Sequence, residues 1–411
     1  MSTYDPRHMT EPATTFDPFD PGQAHDAWAL LAELRAEAPV VEIAGGMHYV
    51  TRHEECRAML RATDAFSNAS GFKAPGVEIP LPDRLLGELD PPLHTPVRRV
   101  MVTAMSPRLV HAAEPFIRDT AHALLDALGT GDADLVAGFT VLLPNRVTVH
   151  LLGLPSADAD ALAAWAKELM ESPFPRTNAT ERGVGFAAAF PEFAGYIDGK
   201  IDEAEAQLAR GEERDDVLAR LVTLEVEGSR LPRRQVRALV RNLITGGLTT
   251  TSQLLGNLLY EIFTVPGLEA AVRADDDALA RAVEESLRIA PPVLFVPRGC
   301  THDTTVAGVE VHEGERIIAG TACANRDERM FEAPDEFRVD RPNADQHLTF
   351  GYGPHVCPGA SLARTVARVG IRAFLDHFRP GTVRLADGYE FENVLTFFEE
   401  GPRRLPVVVT G

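Results

Sequence analysis

The chain is poor in cysteine: 411 residues hold four, Cys56, Cys300, Cys323 and Cys357, and no two of them form a Cys-x-x-Cys pair. With no secretory signal, a disulfide framework is not expected. Positive charge is also scarce, 40 Lys and Arg against 60 Asp and Glu, for a formal net charge of -20. A nucleic-acid binder needs a basic face to displace counterions, and an anionic membrane attracts one, so neither partner is expected. No long apolar run is present either. The best candidate, Leu239 to Phe263, is interrupted by Arg241, Asn242, three threonines and Asn257, short of what a membrane span requires. Met1 to Phe16 has no basic start and no apolar h-region, so a secretory route is not expected and the cytoplasm is. Repeats, low-complexity tracts and Gly/Ser linkers are missing too, and residues 1–411 read as one domain.

What is there is helical periodicity and ample core material, 45% hydrophobic and 24% charged. The spacing predicts helices over Ala24–Ala38, Glu54–Arg61, Pro96–Met105, Pro107–Ala127, Ala157–Glu171, Gly185–Gly211, Arg214–Glu227, Pro232–Val265 and Ala278–Ile289. Pro266-Gly267 gives the longest of them its stop. Strand-like runs are short: Val40–Thr51, Arg298–Val311, Arg316–Ile318 and Leu405–Thr410. Val306-Ala307-Gly308-Val309 and His312-Glu313-Gly314-Glu315 fit hairpin turns. The expected fold class is mainly α, with a small β-sheet region drawn from both ends of the chain.

The most informative segment is Phe350-Gly351-Tyr352-Gly353-Pro354-His355-Val356-Cys357-Pro358-Gly359, ahead of a helical run from Ala360 to Phe378. Glycines and a proline before one cysteine make a tight loop that lets backbone approach a flat ligand. At a helix N-terminus, unsatisfied N–H groups favour a thiolate, which can ligate a metal. An arbitrary cysteine in a glycine turn is ordinarily structural; this spacing is far more specific. It resembles the haem-binding signature of the cytochrome P-450 superfamily, Phe-Gly-x-Gly-x-His-x-Cys-x-Gly, matched at every fixed position.

The resemblance implies the cytochrome P-450 fold, with a long central distal helix and a proximal cysteine loop, and haem b as cofactor. Cys357 would be the iron ligand, Phe350, Gly351 and Gly359 the loop that cradles the porphyrin. Thiolate ligation pushes electron density onto iron and favours O–O cleavage. His94, Arg98, Arg298 and His355 match the family's propionate ligands, and charge-assisted donors suit buried carboxylates. Glu285 and Arg288, at i and i+3 on one helix face, match its Glu-x-x-Arg pair, with Arg341 as third member.

Gly246-Gly247-Leu248-Thr249-Thr250 resembles the family's oxygen-binding groove, with Thr250 in the alcohol position. Paired glycines and threonines weaken a helix, so a local opening is expected there. Thr249 stands where the family usually carries a carboxylate, and a threonine cannot ionise at neutral pH. Either Thr249 and Thr250 hold a water chain that replaces the acid, or the protein uses peroxide or binds haem ligands without turnover. Pro358 lacks an N–H, so one potential hydrogen bond to the sulfur is missing; a proline also simply suits the start of a helix.

For the substrate pocket the resemblance implies Phe72–Leu81, Ser172–Phe186, Leu243 with Gly246 and Gly247, Val293, Leu294 and Phe295, and Phe397 within Leu395–Phe398. These stretches suit an apolar small molecule, and each could equally be core. The implied reaction inserts one atom of O2 into the substrate. No flavin or iron–sulfur module is fused, so electrons would come from a separate ferredoxin and ferredoxin reductase. Arg364, Arg368 and Arg372, with Arg99, form a candidate basic patch for that partner or an ordinary solvated face.

Overall fold

The computed structural model describes residues 15–24, 28–69, 71, 79–171, 186–226, 228–394 and 398–410. Its axis is the helix Arg233–Thr264, whose 32 residues span about 48 Å at 1.5 Å each. Pro232 precedes it and left-handed Gly267 follows, the proline-before, glycine-after asymmetry that delimits helices. Leu239, Leu248, Leu254, Leu255, Leu258 and Leu259 bury it on several faces, because Leu142–Leu151, Ala159–Glu171, Asp276–Ile289 and Ala360–His377 all pack on it. No break occurs at Gly246–Thr251. The expected opening is instead a hydroxyl back-bond, Thr250 Oγ1 donating to the Gly246 carbonyl at 2.7 Å.

Helix Asp276–Ile289 begins two residues before its predicted start, because Asp275 caps it by accepting from the Asp277 and Ala278 N–H groups. The run predicted over Pro107–Ala127 divides into Pro107–Ala112 and Glu114–Leu128. The Arg214–Glu227 run shortens to Val217–Thr223 and turns into the strand Glu225–Val226.

Strands form two principal sheets rather than one. The larger orders Val40–Ile43, Met47–Val50, Arg316–Ala319, Val296–Cys300 and Phe66–Ser67. Within it Arg316–Ala319 runs parallel to Met47–Val50, and the other pairs are antiparallel. The C-terminal strand Pro406–Val409 leaves this sheet and pairs with Val383–Leu385 and Gly131–Asp134. The hairpin expected at Val306–Val309 joins Thr304–Val306 to Val309–Val311, with Ala307 and Gly308 both at positive φ, the backbone a two-residue hairpin demands. The main hydrophobic core surrounds the central helix, and smaller clusters lie beside and beneath the larger sheet. Among the described residues, no helix is long and apolar enough to cross a membrane.

Candidate active site

Cys357 is held by its own loop. Its N–H donates to the Phe350 carbonyl at 2.8 Å, and Val356 N–H donates to Gly353 at 3.1 Å. Gly353 has φ +75°, and a Cβ there would stand 3.1 Å from the Leu60 carbonyl oxygen, so only glycine closes this turn without strain. Helix Ala360–His377 starts directly behind the cysteine, with Gly359 as its cap. Cys357 lies deep in the molecule and is exposed only because it opens onto a cavity. Burial raises its thiol pKa, opposed by the Gly359 N–H, the Arg98 and Arg364 guanidiniums and the Ala360 N–H. Donors therefore reach the sulfur from both residues after Pro358. The Phe350 ring beside it carries the Arg364 guanidinium 4.6 Å from its centroid.

The cavity extends from this loop to the central helix and encloses about 1380 Å³ of empty space, part of it open to solvent. Leu243, Gly246, Gly247, Thr250, Val293 and Arg298 line it, as do Phe350, Gly351, His355 and Gly359. Helical spacing explains the ceiling: positions 243, 246, 247, 250 and 254 recur on one face. Continuing the sequence pattern by one more turn would have found Leu254, which also lines the space. Met101, Met105, Thr148 and Asn242 line it too; they come from other elements or a neighbouring face, and no local motif marks them.

At the edge of the cavity the structure brings His94, Arg98, Arg298 and His355 together. The two imidazole centroids are 3.9 Å apart. Among the described residues, His94 Nε2, Arg98 Nη1 and His355 Nε2 are buried atoms without a hydrogen-bond partner, and Arg298 donates to the carbonyl of its own neighbour, Pro297. Burial, followed by repulsion from His94, Arg298 and Arg98, lowers His355 to about 3. Burial likewise brings Arg298 to about 10 and lowers Arg98, while burial and Arg98 lower His94. Crowded buried donors, three of whose nitrogens lack acceptors among the described residues, are matched to an anionic ligand. A group carrying two carboxylates beside a flat apolar face fits this arrangement, as the porphyrin does.

On the opposite wall Thr250 faces the cavity, its hydroxyl occupied by Gly246. Thr249 turns elsewhere: its Oγ1 donates to Glu399 Oε1 at 2.6 Å. Nothing local in the sequence announces Glu399, 150 residues away.

Glu285, Arg288 and Arg341 meet in a fully buried cluster away from the cavity. Arg288 grips both Glu285 oxygens at 2.8 Å, and Arg341 Nε reaches them at 2.9 and 3.0 Å. The remaining guanidinium protons go to carbonyls, among them Asn325 and Pro334 for Arg288 and Ala333 for Arg341.

Several expected pocket residues are not in the cavity: Ile79, Pro80, Leu81, Phe186 and Phe398 do not line it, and neither do Leu294 and Phe295. Leu294 and Phe295 are 6% and 1% exposed and pack with the N-terminal cluster, where the Phe295 ring meets Phe19 edge-on at 5.3 Å. Residues 294 and 295 lie just before the strand Val296–Cys300 and do not alternate: both turn to that cluster, while Val293 and Val296 line the cavity. Phe397, with residues 72–78 and 172–185, lies outside the described residues. The candidate basic patch is also largely neutralised. Arg364 forms a two-pronged pair with Glu284 at 2.6 and 2.8 Å, Arg368 pairs with Glu114 at 2.7 Å, and Arg372 with Asp276 at 2.9 Å.

Comparison with known proteins bears on the whole arrangement. A family model described as cytochrome P450 matches residues 169–387. The chain is 31% identical over 400 residues to the erythromycin C-12 hydroxylase of Saccharopolyspora erythraea, covering 96% of this chain and 98% of that protein. It is 33% identical over 369 residues to the mycinamicin IV hydroxylase/epoxidase of Micromonospora griseorubida, covering 87% and 88%. A mutant of P450 EryK in complex with erythromycin B superposes with a TM-score of 0.83 at 30% identity, over 95% of this chain and 98% of that one. Cytochrome P450 CYP109Q5 from Chondromyces apiculatus does so with a TM-score of 0.84 at 29% identity, over 97% and 98%. Likeness of this extent, to enzymes named for hydroxylation and epoxidation, means that the chain belongs to the cytochrome P450 family and is a monooxygenase that works with haem iron.

Proposed function

We propose that the protein is a haem b monooxygenase that inserts one atom of O2 into a C–H or C=C bond of an apolar small molecule. Electrons come from a separate ferredoxin and its reductase, and residues 1–411 act as one domain in the cytoplasm. The observation that carries this reading is the cavity itself, closed at one end by Cys357 and at the other by Thr250. When bound, the haem supplies reductive activation of dioxygen and oxygen transfer.

The chain's own residues do the rest. Cys357 offers the sulfur ligand, and its neighbouring N–H groups hold the thiolate. His94, Arg98, Arg298 and His355 hold the propionates by hydrogen bonds, and the two guanidiniums supply the counter-charge. Met101, Met105, Leu243, Leu254 and Val293 orient the substrate by shape and exclude water. Thr250, whose proton is engaged by Gly246, presents oxygen lone pairs that can hold a water in place.

Two measurements test the proposal. The reduced protein under carbon monoxide should show the far-displaced absorption band of thiolate-ligated haem, lost in Cys357→Ser. Supplied with a surrogate ferredoxin, its reductase and NAD(P)H, it should form product that requires O2. Product formed only with hydrogen peroxide and no reductase would overturn the dioxygen reading.

A further inference from the structure

Thr249 occupies the place where the family's motif carries an acid, and a carboxylate nevertheless stands beside it. Glu399 is 2% exposed and approaches Thr249 Oγ1 to 2.6 Å. Its segment is pinned from several sides. Glu399 forms an antiparallel bridge with Val293; Leu294 N–H donates to the Phe398 carbonyl at 2.9 Å, and Glu400 N–H to Pro292 at 3.2 Å. From the central helix, Asn257 Nδ2 donates to the Glu400 carbonyl at 3.1 Å. The backbone then passes so close to that helix that a Cβ on Gly401 would stand 2.3 Å from Gln253 Oε1, and one on Gly256 would stand 2.7 Å from Pro402. Positions 249, 253, 256 and 257 share one helix face. The packing that seats the turn on the lower part of this face therefore holds the carboxylate against its upper end.

We propose that Glu399 replaces, from the C-terminal segment, the acid that the central helix lacks, acting through Thr249 to bring protons to the oxygen-activating side of the cavity. This rests on the dioxygen-dependent reading above. Glu399 does not line the cavity; it is a positioning residue that works through a hydroxyl. While the carboxylate is ionised, Thr249 donates to it. When the carboxyl takes up a proton from solvent, the roles reverse: Glu399 donates to Thr249 Oγ1, and the threonine's own proton passes to water beside Thr250. One proton enters at Glu399, one leaves at Thr249, and the carboxylate is restored. A water chain between two threonines has no such reservoir, because a hydroxyl does not ionise near neutrality.

A clamp that only holds the C-terminal turn would use the same contact, so the test must separate shape from proton. Glu399→Gln keeps the size and an acceptor for Thr249 but has no transferable proton. In the haem-loaded protein with surrogate ferredoxin, reductase and a substrate found by its high-spin optical shift, we expect product per NAD(P)H to fall at least about tenfold, acid–base assistance being worth roughly 10²–10⁴ in rate. Reducing equivalents should appear as hydrogen peroxide, while substrate KM and the carbon monoxide band stay unchanged. Thr249→Val should uncouple in the same way and serves if Glu399→Gln fails to fold. The double variant Thr249→Asp/Glu399→Gln, with the acid returned to the helix, should recover coupling.

Independent of turnover, a carboxyl C=O stretch in an infrared pH titration should vanish in Glu399→Gln and shift in Thr249→Val, with or without haem. Wild-type coupling in either single variant, a changed KM or carbon monoxide band, no recovery in the double variant, or a carboxyl band indifferent to Thr249 would each overturn the proposal. A wild-type protein without O2-dependent product would overturn the functional reading instead, and the infrared titration still reads the Glu399–Thr249 link.

Discussion

Two groups of buried basic side chains occupy this fold, and the chain treats them in opposite ways. Around Glu285, two guanidiniums share one carboxylate and spend their other protons on carbonyls, so each has an ionic partner and its hydrogen bonds close within the protein. Around the cavity edge, Arg98, Arg298, His94 and His355 face one another, and three of their buried nitrogen atoms have no acceptor among the described residues. A buried charge with its counter-charge built in is scaffold. Buried donors left short of acceptors suit a counter-charge that comes from outside. Chemical type alone does not distinguish these arginines; the company they keep does.

The sharpest way to break that comparison is to remove the counter-charge from the closed cluster. Glu285→Gln leaves two buried guanidiniums sharing a neutral amide and should cost about 3–5 kcal/mol, read as a lowered urea midpoint. If stability is unchanged, the cluster is not scaffold. At the open cluster the sign should reverse. Arg298→Leu removes a buried charge whose desolvation already lowers its pKa to about 10. The haem-free protein should gain about 2 kcal/mol while haem is lost more readily on gel filtration. A less stable haem-free variant would show that these donors do not strain the empty fold.

The smallest effect lies at the ion pair of Glu284 with Arg364. Burial raises the Glu284 carboxyl pKa, but His347 and Arg364 outweigh that and hold it at about 2, against an ordinary 4.5. A depressed carboxylate contributes stability above its unfolded value and loses it as pH falls toward the folded one. Glu284→Gln should therefore cost about 1–2 kcal/mol at neutral pH. The difference from wild type should shrink as pH drops from about 4.5 toward 2. A gap that persists at low pH would assign the loss to packing.

Legibility in the sequence followed distance along the chain. The Cys357 loop, the Glu285–Arg288 pair and the glycine–threonine run are compact in sequence, and each could be located from spacing. Leu142–Leu151 was missed because it is buried on nearly every side, including Pro144, Asn145 and Thr148, and a helix without a polar face has no amphipathic signature. Gly131–Asp134 was missed because Gly-Asp-Ala-Asp has no strand propensity; pairing with Pro406–Val409 makes it a strand. Leu294 and Phe295 were misplaced because composition says apolar without saying which side chains of the segment face the cavity. Glu399 was invisible for the plainest reason, since its partner lies on another element and no local pattern requires it.

The bridge between Val293 and Glu399 gives the architecture one more consequence. Val293 lines the cavity wall, so a molecule that leans on it also leans on the backbone segment that carries Glu399. Reshaping that wall to admit a bulkier compound would shift the chain's proton economy at the same stroke, and selectivity and frugality with reducing power would have to be tuned together.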